Sequence, residues 1–351
     1  MSSSAPPTGP SHLRLPSHAP MMHAIARRRF IRATLALPAA AHLGCVVPSH
    51  SRRPHRARTL LFLGDSITWA GNWVVFVESW LRIRYPHMPG EVINLGLPSE
   101  TVSGLSEPGH AGGAFPRPDL HERLGRALSM VRPDIVVACY GMNDGIYFPW
   151  SDARGQRHFD GLRRLHEAVV ASGASIVHVT PAVFDPVPLA GKTLPAGRDS
   201  YPQPFDGYDG VLGRFSDWLL SQRSHGWAVV DAHGPMKRFL TEGRRKNPGM
   251  VLAADGVHPG TLGHWLVARE LIRHWGGPPG LVQSDSPDAV TQLHPSGPAI
   301  VDLVARKQTL LRDAWLSHVG HLRPGMSKGM PIEQAMAKAK ALHAELRRVL
   351  A

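Results

Sequence analysis

Five short apolar runs, spaced by longer amphipathic stretches, constrain this chain more than any other feature. They are residues 59–63 (TLLFL), 91–94 (EVIN), 134–140 (DIVVACY), 175–180 (SIVHVT) and 227–231 (WAVVD). Most are rich in β-branched residues and all are bounded by polar residues or glycine, the pattern of strands buried on both faces. Between and after them, helical spacing covers residues 73–84, 119–131, 158–172, 210–223 and 261–275. Strand alternating with helix predicts an α/β fold, a parallel sheet covered on both sides. In such sheets the chemistry gathers where the connecting loops leave the carboxyl ends of the strands.

Charge divides the chain unevenly. The formal net charge is +12, yet residues 1–58 carry nine Arg with no Lys and no acidic residue. The other residues hold 30 basic against 27 acidic side chains, so the part expected to fold has only +3. A nucleic-acid partner needs a basic face on the folded part, and none is indicated. Residues 1–58 read instead as a leader. Arg27-Arg28-Arg29-Phe30-Ile31 resembles a twin-arginine export signal, followed by an apolar stretch at 33–41 and small residues Ala39-Ala40-Ala41. Met21 or Met22 would give a start of more ordinary length, and the expected location is periplasmic or extracellular. Membrane attachment would require lipidation at Cys45; the apolar run is too short to span a bilayer. The second cysteine, Cys139, lies in an apolar run and reads as a core residue, so no disulfide is expected to hold the fold.

With 43% hydrophobic residues the remainder can bury a sizeable core. A central domain is expected at 59–276, then a Gly/Pro/Ser-rich linker at 276–297 and two helices, 299–319 and 331–350, as a C-terminal appendage within 277–351. Ile332, Ala335, Met336, Ala339, Leu342 and Leu346 recur at helical spacing in the last one. Two connections are long, 103–118 and 185–210, and both should overhang the strand ends. Tyr201, Phe205 and Tyr208 in the second either form a substrate rim or pin the loop down.

Three motifs carry the chemistry. Gly64-Asp65-Ser66 directly follows the first strand and would expose a hydroxyl at a strand-to-helix turn, although Gly, Asp and Ser are also ordinary turn residues. Gly141-Met142-Asn143-Asp144 follows the third strand, and a neutral Asn amide can donate to a developing oxyanion. Asp255-Gly256-Val257-His258 precedes the last core helix; a carboxylate three residues from an imidazole can fix its tautomer. A metal site built on Asp255, His258 and His264 is the competing reading, without further ligands in support.

The order, placement and flanks of these motifs resemble the SGNH (GDSL-like) hydrolase superfamily over residues 59–276. The resemblance implies a three-layer α/β/α, flavodoxin-like fold and hydrolysis of esters or thioesters without cofactor or metal. It implies Ser66 as nucleophile, His258 as general base and Asp255 as its orienting carboxylate. The oxyanion hole would use the Ser66 backbone N–H and the Asn143 side chain. One block departs from the pattern: the family's Asn-x-x-x-x-Gly-Asp-Thr stands here as Asn94-Leu95-Gly96-Leu97-Pro98-Ser99-Glu100-Thr101. The third donor therefore falls on Ser99, with Gly96 as the alternative. Short acyl esters, among them O-acetyl groups on carbohydrate, are the expected substrates. A lipid or thioester acyl hydrolase and a non-catalytic glycan-binding relative remain open. A nucleotide-binding flavodoxin-like protein is disfavoured, because residues 64–71 have neither dinucleotide nor P-loop spacing.

Overall fold

The computed structural model describes residues 53–351. The arginine motif, Met21 and Met22, Ala39–Ala41 and Cys45 of the leader all lie outside the described residues. In chain order the elements are β1 (Thr59–Gly64), α1 (Ser66–Ala70), α2 (Asn72–Arg84), β2 (Glu91–Asn94), α3 (Leu120–Val131), β3 (Ile135–Cys139), α4 (Asp152–Ala171) and β4 (Ser175–Val179). There follow α5 (Tyr208–Ser221), β5 (Ala228–Val230), α6 (His233–Lys246), α7 (Thr261–His274), α8 (Pro279–Val282), α9 (Gly297–Val319) and α10 (Ile332–Leu350).

All five strands pair in parallel in the order β2-β1-β3-β4-β5. The side-chain period of two sends Leu60 and Phe62 of β1 to one face and Leu61 and Leu63 to the other. On the first face they meet Trp73, Val74 and Val77 of α2 and Trp265 and Leu266 of α7. On the second they meet Leu120 and Leu124 of α3 and Leu162 and Leu165 of α4. The result is the three-layer α/β/α arrangement with flavodoxin-like strand order. From β1 the chain turns one way to β2 and later returns on the other side as β3. Loops after these strands diverge and leave a crevice at their carboxyl ends, the topological switch point.

Two segments differ from expectation. Helix α6 was not foreseen: it is strongly charged, holds two glycines and a proline, and buries only His233, Met236 and Leu240. With so few apolar residues, and with glycine and proline at its start, the segment reads as loop. Residues 276–297 are not a bare linker either, since Leu281, Val282, Ala289 and Val290 are buried in the first core.

The C-terminal helices pack onto the sheet's edge. Helix α9 lies against α2 and β2, and α10 lies on α9. Gln308 donates from Nε2 to the edge-strand carbonyl of Val92 (2.9 Å) and to Glu78 Oε2 (2.5 Å). Lys307 Nζ pairs with Glu78 Oε1 at 2.5 Å and with Glu91 Oε2 at 3.1 Å. A polar helix face therefore covers an edge that would otherwise expose unpaired backbone groups. In α10 Ile332, Ala335, Ala339 and Leu346 are buried, whereas Met336 turns to solvent.

Candidate active site

The strand β1 ends on Gly64, where any side chain would collide: a Cβ there would lie 2.1 Å from Thr68 Oγ1 and 2.7 Å from the Cys139 carbonyl of β3. Asp65 then caps α1, its Oδ1 accepting from the Ile67 N–H at 2.9 Å. This turn presents Ser66 as the first residue of α1, with its N–H among the donors that a helix leaves unpaired at its start. Burial raises the Asp65 carboxyl to about 7, against the pull of the Ile67 N–H.

Although 192 positions apart, Ser66 Oγ and His258 Nε2 stand 2.8 Å from each other. His258 Nδ1 is 2.7 Å from Asp255 Oδ2, and Asp255 Oδ1 accepts from the backbone N–H groups of His258 (2.8 Å) and Val257 (3.0 Å). For Asp255 burial acts upward, but these hydrogen bonds outweigh it and hold the carboxyl below its ordinary range. Hydroxyl, imidazole and carboxylate thus form one hydrogen-bonded series, with Asp255 and His258 each about half exposed to solvent. His264 stands apart from this series on α7, buried, with its imidazole driven down to about 4 by burial. Among the described residues no group of three or more His, Cys, Asp or Glu is disposed to hold a metal. Cys139 is a buried free thiol whose ionisation burial pushes up.

The segment after β2 separates the two candidate donors. Gly96 is corrected: its N–H already donates to Asn94 Oδ1 at 2.8 Å, so it is not free for an oxyanion. Its need for glycine is steric, because a Cβ would sit 2.3 Å from the Trp69 nitrogen. Ser99 adopts φ +69°, the left-handed region that glycine ordinarily supplies. A serine thus holds the backbone shape expected of the missing glycine, and its N–H meets no acceptor among the described residues. The loop is clamped from beneath. Glu100 is buried and bound twice by Arg123 (2.6 and 2.7 Å) and once by Tyr140 Oη (2.6 Å). Asp144 Oδ1 accepts from the N–H groups of Val102 (2.9 Å) and Ser103 (2.8 Å), which ties the loop after β2 to the turn after β3.

Asn143 is buried in that turn. Its Nδ2 donates to the Glu100 carbonyl at 3.2 Å, while its Oδ1 accepts from Arg117 Nη1 at 2.9 Å and from Tyr147 Oη at 3.3 Å. Arg117, Glu107 and Tyr147 were not singled out by the sequence, since nothing in their spacing marks a contact with Asn143. Of the three loop aromatics, Tyr208 is wholly buried and belongs to the frame, not the rim. It donates to the Met142 carbonyl at 2.8 Å and accepts from the Gly145 N–H at 3.1 Å. Tyr201 does reach the rim: with Phe148, Tyr147, Arg117, Glu107 and Pro202 it lines an open groove of about 480 Å³. Phe205 packs edge-on behind Tyr201, with ring centroids 6.1 Å apart.

A parallel α/β/α sheet with hydroxyl, imidazole and carboxylate in series at its carboxyl edge defines a class of serine-type hydrolases. The chain belongs to the GDSL-like lipase/acylhydrolase family, which it matches over residues 62–266, and it is an ester hydrolase of the SGNH type. No curated protein sequence matches it. Among solved structures it is similar to Axe2, an acetylxylan esterase from Geobacillus stearothermophilus, at 22% identity over 63% of this chain and 95% of that one (TM-score 0.43). It is also similar to a lipolytic G-D-S-L family protein from Veillonella parvula, at 16% identity over 61% and 96% of the two chains (TM-score 0.41). A third similarity is to BT4096, a gut microbial diltiazem-metabolizing enzyme, at 19% identity over 63% of this chain (TM-score 0.45). The present chain spans 47% of that longer protein.

Proposed function

We propose that this ester hydrolase works through a serine acyl-enzyme and removes short acyl groups, O-acetyl groups on carbohydrate in particular. The observation that carries the reading is the series Ser66 Oγ–His258 Nε2–Asp255, with its spacings of 2.8 and 2.7 Å. His258 Nε2 takes the Ser66 proton as Oγ attacks the ester carbonyl carbon. Negative charge then gathers on the carbonyl oxygen, where Asn143 Nδ2 and the backbone N–H groups of Ser66 and Ser99 donate. Asp255 stabilises the imidazolium without taking its proton. The C–O bond breaks, His258 gives its proton to the leaving alcohol, and water repeats the sequence on the acyl-enzyme.

Support for a carbohydrate alcohol comes from the groove beside Asn143. Arg117 and Tyr147 both line it and both bond the Asn143 amide oxygen, so the groove lies one side chain away from Asn143. Its walls combine the ring faces of Phe148 and Tyr201 with the charged Glu107 and Arg117, a mixture suited to stacking on a sugar while bonding its hydroxyls. The test is Ser66→Ala: the variant folds, and release of acetate from acetylated glycans and from p-nitrophenyl acetate falls by about 10⁴-fold or more. Near-normal turnover in that variant sinks the nucleophile assignment, and a steady rise in kcat/KM with acyl length sinks the short-acyl reading. We also propose export on the strength of Arg27-Arg28. Exchanging both for Lys should retain the precursor in the cytoplasm, and unchanged fractionation would overturn this.

A further inference from the structure

A primary amide donates from nitrogen and accepts at oxygen, and a half-turn about its last bond exchanges the two. An oxyanion is served by only one of those orientations. At Asn143 the choice is imposed from outside the residue. Arg117 Nη1 and Tyr147 Oη both donate to Oδ1, and it is the guanidinium, which has no acceptor, that could not face an NH₂ group instead. Nδ2 gives one hydrogen to the Glu100 carbonyl, which leaves its second hydrogen available.

Arg117 is itself held on three sides. Its Nε and Nη2 bind the two oxygens of Glu107, each at 2.7 Å, a bidentate fork. The guanidinium lies 5.3 Å from the centre of the Tyr147 ring. Tyr147 reaches that place through two consecutive residues in the left-handed region, Ile146 at φ +49° and Tyr147 at φ +59°. A β-branched residue there is a real outlier, and such strain gathers where a geometry is functionally required. An ion pair serving only to close the 103–118 loop needs no bond to Asn143. The third face of the guanidinium makes one nonetheless.

We propose that Arg117, braced by Glu107 and Tyr147, is a positioning residue that fixes the Asn143 amide with its N–H toward the oxyanion and polarises that N–H. A cation on the amide oxygen draws electron density through the conjugated C–N bond and strengthens donation from nitrogen. Arg117 is 9% exposed, so water screens this little, and nothing must reorganise as the charge develops. The proposal rests on Asn143 as an oxyanion donor, and the test separates the two.

Five variants are compared for kcat and KM on p-nitrophenyl acetate: Asn143→Ala, Arg117→Met, their combination, Arg117→Lys, and Arg117→Met with Glu107→Gln, which strands no carboxylate. Asn143→Ala should lower kcat about 10²–10³-fold. Either Arg117→Met variant should lower kcat roughly 10–100-fold with KM nearly unchanged, the mark of an interaction made in the transition state. The combination with Asn143→Ala should be no slower than Asn143→Ala alone, because on p-nitrophenyl acetate, which brings no sugar into the groove, Arg117 acts only through that amide. Arg117→Lys should recover part of the loss, by restoring the charge without the fork. Wild-type kcat in both Arg117→Met variants, or losses that multiply in the combination, overturns the proposal while leaving Asn143 in its role. A near-normal kcat for Asn143→Ala overturns both.

Discussion

Replacing Ser99 by glycine tests how this enzyme manages without the family's glycine. Ser99 sits at φ +69°, where an L-residue is disfavoured by about 1–2 kcal/mol. Glycine removes that cost but adds roughly 0.5–1 kcal/mol through the greater freedom of the unfolded chain. The Ser99 hydroxyl makes no hydrogen bond to a described residue, so little else is lost. The net expectation is a gain between about 0 and 1.5 kcal/mol, or a rise in Tm of up to about 2–3 °C at this chain size. Turnover should hold within about threefold, since the group proposed to serve the oxyanion is the backbone N–H, which glycine keeps. Ser99→Val should do the opposite: a β-branched side chain resists the left-handed region, the loop shifts, and loss of the donor lowers kcat by about 10²-fold. Thermal denaturation with steady-state kinetics on a short acyl ester checks both. A Ser99→Gly protein that melts several degrees lower, or a folded one that loses more than about tenfold in kcat, refutes the reasoning.

Asp65→Asn probes the buried acid next to Ser66. A folded pKa of about 7, raised by burial, means that the native state holds a proton the unfolded chain has released. Its contribution to stability is full below the ordinary carboxylate range near pH 4 and is lost as pH climbs through about 7. The amide keeps the cap to Ile67 and removes the titration, so urea midpoints of variant and wild type should diverge between pH 4 and pH 7 and run parallel above; curves parallel throughout would contradict the assignment. Lys307→Met tests the clamp on the sheet edge. Glu78 is held below its ordinary range because Lys307 and Arg82 outweigh its burial, and removal of Lys307 strands much of that charge. A loss of about 1–3 kcal/mol in chemical unfolding is expected, and adding Glu78→Gln should deepen it, because the buried Arg82 then loses the carboxylate it binds at 3.0 Å; an unchanged midpoint for Lys307→Met would show the pair to be dispensable.

The parallel α/β layout and the turns that carry the candidate site are legible in the residues alone. Strands buried on both faces must be apolar throughout, so β1 to β5 are visible as runs whose ends shift by only a residue or two. The local turns that carry Ser66, Asn143 and Asp255–His258 are written in adjacent residues, because capping and turn formation are short-range. Helix α6 is not legible for the converse reason: it has few apolar residues, and glycine and proline interrupt it. Tertiary structure alone decided what long-range contact and backbone shape control. It brought Ser66 and His258 to 2.8 Å across 192 positions, and it spent the Gly96 N–H on Asn94. It gave Ser99 a glycine-like φ in a loop clamped from elements distant in sequence, by Arg123 on Glu100 and by Asp144 on Val102. It also set Arg117 against the Asn143 oxygen, a pairing of two side chains 26 residues apart that no spacing rule predicts. Hydrophobic pattern is a property of each segment and survives in the sequence, whereas the direction of an amide or the use of one N–H depends on which segments meet.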